Sequence, residues 1–393
     1  MPKLHLHPAV APFEEAMIEF RRHLHQHPEL GFQEEETARY ILARIDGLGL
    51  EVRHPVARTG IVALLRNDDG PCIALRADMD ALPIQETGDL PYKSVNDGVM
   101  HACGHDGHTA ILLGTLMALQ RHTDLWRGTV KFIFQPAEEG DAGAEHMVRE
   151  GVLRDPVPAA VFGLHLWNYL RLGAIGVQAG PVTAAADAFE ITVRGEGGHG
   201  ARPQGTVDAV HVAAQLVVAL QSVVSRNLDP LEPGVVTIGK IEGGYSYNVI
   251  ADRVDLQGTA RSYSEDQRRL IRDRLQALCD GLAAAYGARI ELAYRHGYPP
   301  TVNDPAMTDV AAQAARTVAG DGAGEFDRSM VGEDIAYFLR EVPGCFFFVG
   351  SAKPDDGPDK VPHHSAHFDF DERALAAGAS VFVNIVTAML PRT

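Results

Sequence analysis

The stretch Met100-His101-Ala102-Cys103-Gly104-His105-Asp106-Gly107-His108-Thr109 sets the organisation of the chain. Such a density of metal-ligand side chains is uncommon by chance, although a buried free cysteine beside solvated histidines is the simpler alternative. Cys103 and His105 are two residues apart, so on a helix their side chains would point about 200° apart and could not share one ion. Gly104 and Gly107 instead favour a tight loop around an ion, with a helix leaving it near Thr109. A thiolate with imidazoles indicates zinc or another late first-row metal rather than magnesium or calcium.

The composition narrows the class of protein. The chain has 393 residues, enough for two domains. Its formal net charge of -17 argues against nucleic acid or an anionic membrane as a partner. Four cysteines without a Cys-x-x-Cys pair indicate a reducing compartment. The N-terminal residues lack the apolar segment of a signal peptide, and we find no uninterrupted apolar run of about 18 residues. We therefore expect a cytoplasmic protein.

Polar side chains follow several apolar strand candidates. The candidates are residues 60–65, 72–77, 129–134 and 160–165, and they alternate with helical stretches, which predicts an α/β fold with parallel strands. In such sheets, ligand sites lie beyond the carboxyl ends of the strands. The residues at these ends are Asp78, Asp80, Glu138, Glu139 and His165. The sequence therefore predicts carboxylates and imidazoles gathered at one edge of the sheet.

A second pattern follows Gly180-Pro181. Strand candidates at 187–193, 234–241, 248–261 and 288–293 enclose helices at 206–226 and after Ser264. This order, β-α-β-β-α-β, is typical of a ferredoxin-like domain. We expect it to be inserted in the first domain because further metal-ligand candidates come after it. The segment Gly195–Gly200 matches G-x-G-x-x-G, but the helix does not open within it, so we interpret it as a turn that presents His199 rather than a nucleotide site.

Ten motifs spread over the chain resemble the M20 metallopeptidase family, in the branch of hippurate hydrolases, N-acyl-amino-acid amidohydrolases and auxin-conjugate hydrolases. They are RHLHQHPE (from Arg22), RADMDALPI (Arg76), MHACGHDGHT (Met100), QPAEEG (Gln135), GLHLWN (Gly163), GEGGHGARP (Gly195), NVIADRVDLQGTAR (Asn248), GEDIAYFL (Gly332), PGCFFFVG (Pro343) and HHSAHFDFDE (His363). The resemblance implies a discontinuous catalytic domain with a mainly parallel sheet flanked by helices, plus an inserted ferredoxin-like lid that can mediate dimerisation. We place the catalytic domain at 1–182 and 296–393 and the lid at 183–295.

The resemblance also implies roles for individual residues. It places the metal ligands on five residues: Cys103, His105, Glu139, His165 and His364. The general base would be Glu138, and His199 would act with it as a lid residue that contacts the substrate or the developing oxyanion. Asn248 would contact the substrate in the same way, and Arg261 would hold a substrate carboxylate. Independently of the family, adjacent glutamates at a strand end permit one to bind metal and the other to face water.

The expected activity is hydrolysis of the amide bond in small N-acyl amino acids, such as hippurate or N-acetyl amino acids. One or two divalent ions (zinc, manganese, cobalt or nickel) would serve as cofactor, in a homodimer or homotetramer. Two alternatives of the same family stay open, N-acetyl-diaminopimelate deacetylation and dipeptide cleavage. A non-catalytic binding protein with this fold is a further alternative, against which the complete set of catalytic-type residues argues. A serine hydrolase is disfavoured because no G-x-S-x-G motif is present.

Overall fold

A computed structural model describes residues 4–353 and 360–392. The chain forms two compact units. The first comprises Met1–Gly180, Val302–Asp327 and Asp334–Thr393, and the second comprises Pro181–Thr301 and Arg328–Glu333. This division assigns residues 181–182, 296–301 and 328–333 to the second unit, whereas the sequence analysis places them in the catalytic domain. The predicted domain boundaries stay a prediction.

The described residues form the following helices: α1 (Glu14–Gln26), α2 (Glu35–Ile45), α3 (His105–Arg121), α4 (Gly143–Arg149), α5 (Ala209–Asn227), α6 (Glu265–Tyr286), α7 (Pro305–Ala319), α8 (Ala336–Glu341) and α9 (Arg373–Met389). Short 3₁₀ turns lie at Ala11–Phe13, Pro203–Gly205 and Gly320–Gly322. The α1–α2 break falls at His27-Pro28, where proline disfavours helical geometry in the residue before it.

The strands are β1 (Glu51–Val56), β2 (Gly60–Asn67), β3 (Cys72–Asp78), β4 (Gly128–Gln135), β5 (Val161–Arg171), β6 (Ile175–Gly176), β7 (Gly180–Thr183), β8 (Ala185–Arg194), β9 (Gly198–His199), β10 (Gly234–Gly243), β11 (Val249–Ile250), β12 (Arg253–Ser262), β13 (Arg289–Tyr298), β14 (Thr301–Asn303), β15 (Ala323–Gly324) and β16 (Gly344–Ala352). The four apolar runs of the sequence analysis correspond to β2, β3, β4 and β5. The predicted strand over 248–261 is wrong in one respect, because Ala251 and Asp252 separate β11 from β12.

The first unit is built on one sheet in the order β1-β2-β4-β3-β5-β16-β6-β15. Its centre, β4-β3-β5-β16, is parallel, and β1 and β2 continue it in antiparallel pairing. Helix α3 packs on β3, β4 and β5, and α9 packs on β3, β5 and β16. Strands β3, β4 and β16 are buried along their whole length, as expected for the central strands of a parallel sheet that carries helices. The predicted α/β class with a mainly parallel, helix-flanked sheet is confirmed.

Helix α3 lies at the centre of this core. Ile111, Leu113 and Leu116 are fully buried, as expected for a helix enclosed by α1, α9 and the sheet. Gly114 faces α1, where a Cβ would lie 2.4 Å from the sulfur of Met17. An added Cβ would therefore displace the Met17 side chain, and glycine at this position lets α3 pack closely against the N-terminal helix.

The second unit has the antiparallel sheet order β10-β12-β8-β13, covered by α5 and α6. This is the predicted ferredoxin-like arrangement. Alternating β8 residues Phe189, Ile191 and Val193 enter the core. Helix α6 begins where the capping signal predicts, with the Ser264 hydroxyl accepting the Gln267 amide.

Helix α5 is the one described helix that is long and apolar enough to cross a membrane by length and composition alone. One face of it, including Leu216 and Leu220, lies in the core of the second unit. Val210 and Val218, on other faces, are 48% and 70% exposed. A core helix of this kind passes the same test, so the length and composition are weak indications of a membrane span.

Candidate metal centre

The loop before α3 is tighter than predicted, because the helix begins at His105 rather than near Thr109. Gly104 has φ +97°, a left-handed conformation that favours glycine, and lies directly before the helix. Cys103 is therefore on the loop, and His105 is the first helical residue. The two side chains avoid the angular separation that a continuous helix would impose.

The five predicted ligands come together at the carboxyl edge of the first sheet. In each of three sets, donor atoms lie within 4.8 Å of one another. The sets are Cys103 with His105 and His165; Cys103 with Glu139 and His364; and His105 with Glu138 and Glu139. Cys103 and Glu139 each belong to two sets, so the cluster is continuous and its geometry permits one ion or two.

Hydrogen bonds fix the direction of the imidazoles. His165 Nδ1 lies 2.6 Å from the carbonyl oxygen of Leu166, so this nitrogen carries the proton and donates it. His165 Nε2 is then an acceptor, and it lies 3.5 Å from Cys103 Sγ, which can donate to it. His105 Nδ1 lies 3.3 Å from Asp80 Oδ1, which assigns its proton in the same way. Hydrogen bonds from the ring nitrogen that does not bind the metal orient metal-ligating histidines and set their tautomer.

Two buried polar atoms in the cluster have no hydrogen-bond partner, His105 Nε2 and Glu139 Oε1. They are 3.9 Å apart, and Glu139 Oε1 is also 3.2 Å from His364 Nε2, close in distance but not aligned as a hydrogen bond. Buried atoms without partners are rare in folded proteins, and an ion is one explanation for them. The residues thus fit a divalent cation.

The charge of the cluster also favours a cation. Burial, together with the carboxylates of Glu139, Glu138 and Asp78, raises the pKa of the Cys103 thiol well above its ordinary value. Burial alone would lower the pKa of His105, but Asp78, Asp80 and Glu139 raise it to about 10. For both groups, the carboxylates raise the pKa, as an excess of negative charge in a buried space would. A bound cation would offset that charge and hold the thiolate deprotonated.

Three residues with supporting roles were not assigned from the sequence. Asp80 accepts the amides of Glu138 and Glu139 as well as facing His105. His108 Nε2 accepts the Leu166 amide at 2.9 Å, so its Nδ1 donates to Asp78 at 2.6 Å. His363 accepts the Asn168 amide and lies 3.2 Å from the carbonyl oxygen of Cys103. Two features of the sequence could have indicated these roles: the aspartates at and just after the end of β3, and the additional histidines beside the predicted ligands.

The predicted substrate residues lie in the second unit. His199 on β9 pairs with Val249 on β11, and the Gly200 amide donates to the Asn248 carbonyl at 2.8 Å. The structure thus brings His199 and Asn248 together on an exposed two-stranded ribbon. Arg261 is elsewhere, half-buried on β12, where its Nη1 donates to the Thr259 hydroxyl and to the Ala260 carbonyl. Within the described residues, no hydrogen bond or ion pair joins Arg261 to the ribbon.

The fold and the ligand cluster define an α/β protein with a site suited to a divalent metal. Comparison with known proteins identifies the family: residues 74–388 match Peptidase family M20/M25/M40. The chain belongs to this family and is a hydrolase, so the resemblance drawn from the motifs is confirmed.

Individual relatives match over most of their length. The chain is 40% identical over 380 residues to the N-acetylcysteine deacetylase of Bacillus subtilis (strain 168), covering 96% of this chain and 98% of that protein. It is 45% identical over 289 residues to the N-acyl-L-amino acid amidohydrolase of Geobacillus stearothermophilus, covering 73% and 78%. Among solved structures, the YXEP protein of Bacillus subtilis, described as a dinuclear metal binding peptidase from the M20 family, matches with a TM-score of 0.83 and 36% identity over 97% of this chain and 99% of that chain.

Proposed function

We propose that the protein is a metal-dependent amidohydrolase that cleaves the amide bond of small N-acyl amino acids. The observation that carries this proposal is the buried ligand cluster beside Glu138, in which His105 Nε2 and Glu139 Oε1 lack partners. The names of two relatives, a deacetylase of N-acetylcysteine and an amidohydrolase of N-acyl-L-amino acids, support the substrate class.

Cys103, His105, Glu139, His165 and His364 would hold the metal. A divalent ion held there would supply an activated water, with a pKa of about 7, and would polarise the amide carbonyl. Glu138 accepts the proton of the attacking water and returns it to the leaving nitrogen, which must depart as an amine. Its neighbour Glu139 turns to the ligand cluster, while Asp80 holds the backbone amides of both. His199 and Asn248 contact the substrate or the developing oxyanion.

The free carboxylate of the substrate requires a local cation, because a chain with net charge -17 does not attract anions in general. We assign this role to Arg261. Burial lowers the pKa of its guanidinium, which therefore gains from an anionic partner. Arginine can bind a carboxylate through two parallel hydrogen bonds, which lysine cannot reproduce.

The test compares N-benzoylglycine with its uncharged amide in the parent, in Arg261→Ala and in Arg253→Ala. Arg253 lies on the same strand but is exposed and paired with Asp255, so it serves as a matched control. We expect the parent and the control to prefer the acid strongly and Arg261→Ala to lose most of that preference. Equal preference in all three proteins would remove Arg261 from this role. No preference in the parent would contradict the substrate class.

A panel of N-acetyl amino acids, N-acetyl-diaminopimelate and dipeptides separates the proposed activity from the two alternatives within the family. Elemental analysis of the same preparation gives the metal and its stoichiometry, one or two ions of zinc, manganese, cobalt or nickel. Metal binding without hydrolysis of any member of the panel would favour the non-catalytic alternative.

We also propose a homodimer or homotetramer that uses the exposed side of the second unit. Strand β10 is an edge of its sheet. Ile241 on this strand is 57% exposed, and Val218 on α5 is 70% exposed. Unpaired edges and exposed apolar residues favour association with another chain. Light scattering should give two or four times 42.5 kDa, and Val218→Asp with Ile241→Asp should lower the mass.

A further inference from the structure

The turn that follows β4 presents three consecutive backbone amides to two buried carboxylates. The amide of Ala137 donates to Glu34 Oε1 at 2.8 Å. The amides of Glu138 and Glu139 donate to the two oxygens of Asp80, at 3.0 and 2.9 Å. Ala137 has φ +54°, a left-handed conformation that is uncommon for alanine and needs support from its surroundings. Successive amides in such a turn form a concave site for an anion, and here side chains of the protein fill it.

Glu34 reaches this turn from the segment between α1 and α2. At the start of that segment, the carbonyl of Glu29 accepts the amide of Ala81, the residue after Asp80. Further along, a Cβ on Gly31 would lie 3.1 Å from both Cα and Cβ of Ala137. The segment 29–34 therefore lies against both turns that carry the carboxylates of the site.

The carboxylate of Glu34 has no simpler role in its own helix. Glu34 is the residue before α2, but its side chain makes no capping hydrogen bond there. Its second oxygen instead accepts the hydroxyl of Thr59 at 2.6 Å, and the residue is fully buried. Burial raises the pKa of Glu34 to about 7, against the hydrogen bonds from Thr59 and Ala137. A buried carboxyl group is costly unless its hydrogen bonds serve the folded state, and here both are made to distant segments.

We propose that Glu34 is a positioning residue that holds the Ala137 turn and so aims the carboxylate of Glu138 at the reacting water. This inference rests on the proposed role of Glu138 as general base. Two separate carboxylates then hold the backbone around the general base. Asp80 fixes the amides of Glu138 and Glu139, and Glu34 fixes the amide of Ala137 and its left-handed turn. Small displacements of a catalytic group lower turnover because positioning contributes to the barrier.

The test compares Glu34→Ala, Glu34→Asp and Glu34→Gln with Glu35→Ala in the metal-loaded enzyme. Glutamine keeps an oxygen for the Ala137 amide, and its own amide can donate to the Thr59 hydroxyl. Aspartate keeps the charge but is one methylene short of Ala137. Glu35 is adjacent and exposed, which makes it the matched control. The readouts are kcat, KM, metal content, thermal unfolding, and hydrogen exchange of the peptide covering residues 135–142.

We expect Glu34→Ala and Glu34→Asp to lower kcat by about 100-fold, the order of magnitude that a 1 Å misplacement causes, with KM nearly unchanged. Metal should stay bound, and the 135–142 peptide should exchange faster. Glu34→Gln should recover most of the lost kcat, and Glu35→Ala should match the parent. If Glu34→Ala does not fold, the comparison of aspartate with glutamine decides the question.

Two results would overturn the inference: parental kcat and exchange in a folded, metal-loaded Glu34→Asp, or an equal loss in Glu34→Gln and Glu34→Asp with unchanged exchange. Failure of the proposed function looks different. In that case the parent itself shows no hydrolysis, while hydrogen exchange still reports whether Glu34 holds the turn.

Discussion

The ligand cluster of the first unit and the ribbon of the second unit differ in how firmly their side chains are held. His105 and His165 are buried, and each is oriented by a bond from its second ring nitrogen. His199 and Asn248 are exposed and bond to near neighbours in their own ribbon, Ala201 and Ser246. These two proposed metal ligands are thus preorganised by their own unit, as a precise site requires. The second unit holds the side chains of His199 and Asn248, which we propose to contact the substrate, much less firmly. Their contribution therefore has to be measured by kinetics.

The largest expected effect separates the two adjacent glutamates of the cluster. Glu138→Gln keeps the size of the side chain but cannot accept a proton, so we expect kcat to fall by roughly 10²–10⁴-fold. Metal content should be unchanged, because Glu139 is the glutamate that we propose as the metal ligand. Elemental analysis beside steady-state kinetics checks both. Loss of metal from Glu138→Gln would show that the roles of the two glutamates are reversed.

The ribbon should respond differently from the cluster. His199→Ala removes a proposed oxyanion contact, which corresponds to a loss of about 10²–10³ in kcat. Because His199 is exposed, we expect neither the melting temperature nor the metal content to change. A drop in either would mean that the ribbon is structurally tied to the cluster.

Mixing His199→Ala with Glu138→Gln extends this test to the assembly. Recovery of activity in the mixture would show that one subunit supplies His199 to the cluster of another. No recovery, with subunit exchange demonstrated, would assign both residues to the same chain.

Cys103→Ala tests the cluster itself. Cys103 belongs to two of the three ligand sets, so its loss should weaken both. We expect metal affinity to fall by at least the roughly 10–100-fold that loss of a supporting residue causes. Activity should fall in parallel and recover in part with added metal. Full metal occupancy at limiting metal, with normal turnover, would rule out the thiolate as a ligand. The buried Cys345 on β16 offers a control, since it belongs to none of the ligand sets found among the described residues.

Much of the first unit was predictable because its buried strands are continuous apolar runs that end in polar residues. Asp78 follows such a run directly, His165 ends another, and Glu138 comes four positions after a third. The parallel pairing then brings them to one edge. Helix α7 was not predicted, although Asp304-Pro305 provides a start signal that the structure uses: the Asp304 side chain accepts the Met307 amide.

The sequence is less informative about residues whose partners are distant along the chain. Glu34 lies about a hundred positions before Ala137, and Glu34-Glu35-Glu36 reads as a solvated start of a helix. The structure buries the first and exposes the other two. Local pattern cannot distinguish them, because the difference comes from the segment 29–34 packing on the turn after β4. Arg261 shows the same limit, since its strand was predictable but its contacts with Thr259 and Ala260 were not.

The smallest expected effect is a change with pH in the free energy of unfolding, and it comes from Glu34, which supports the turn before Glu138. Burial and the nearby charge of Asp80 raise the pKa of Glu34 from 4.5 to about 7 in the folded protein. The folded state therefore binds the proton more tightly than the unfolded state. The stability that this supplies is fully present below pH 4.5 and is lost as the pH rises to about 7.

Glu34→Gln cannot ionise, so the melting temperature of the parent relative to this variant should fall over that interval and then level off. Glu35→Gln, at an exposed position, should show a difference that does not vary with pH. A parent-to-Glu34→Gln difference that stays constant from pH 4.5 to 7.5, or grows, would mean that Glu34 is ionised throughout, held in that state by the hydrogen bonds from Thr59 and Ala137.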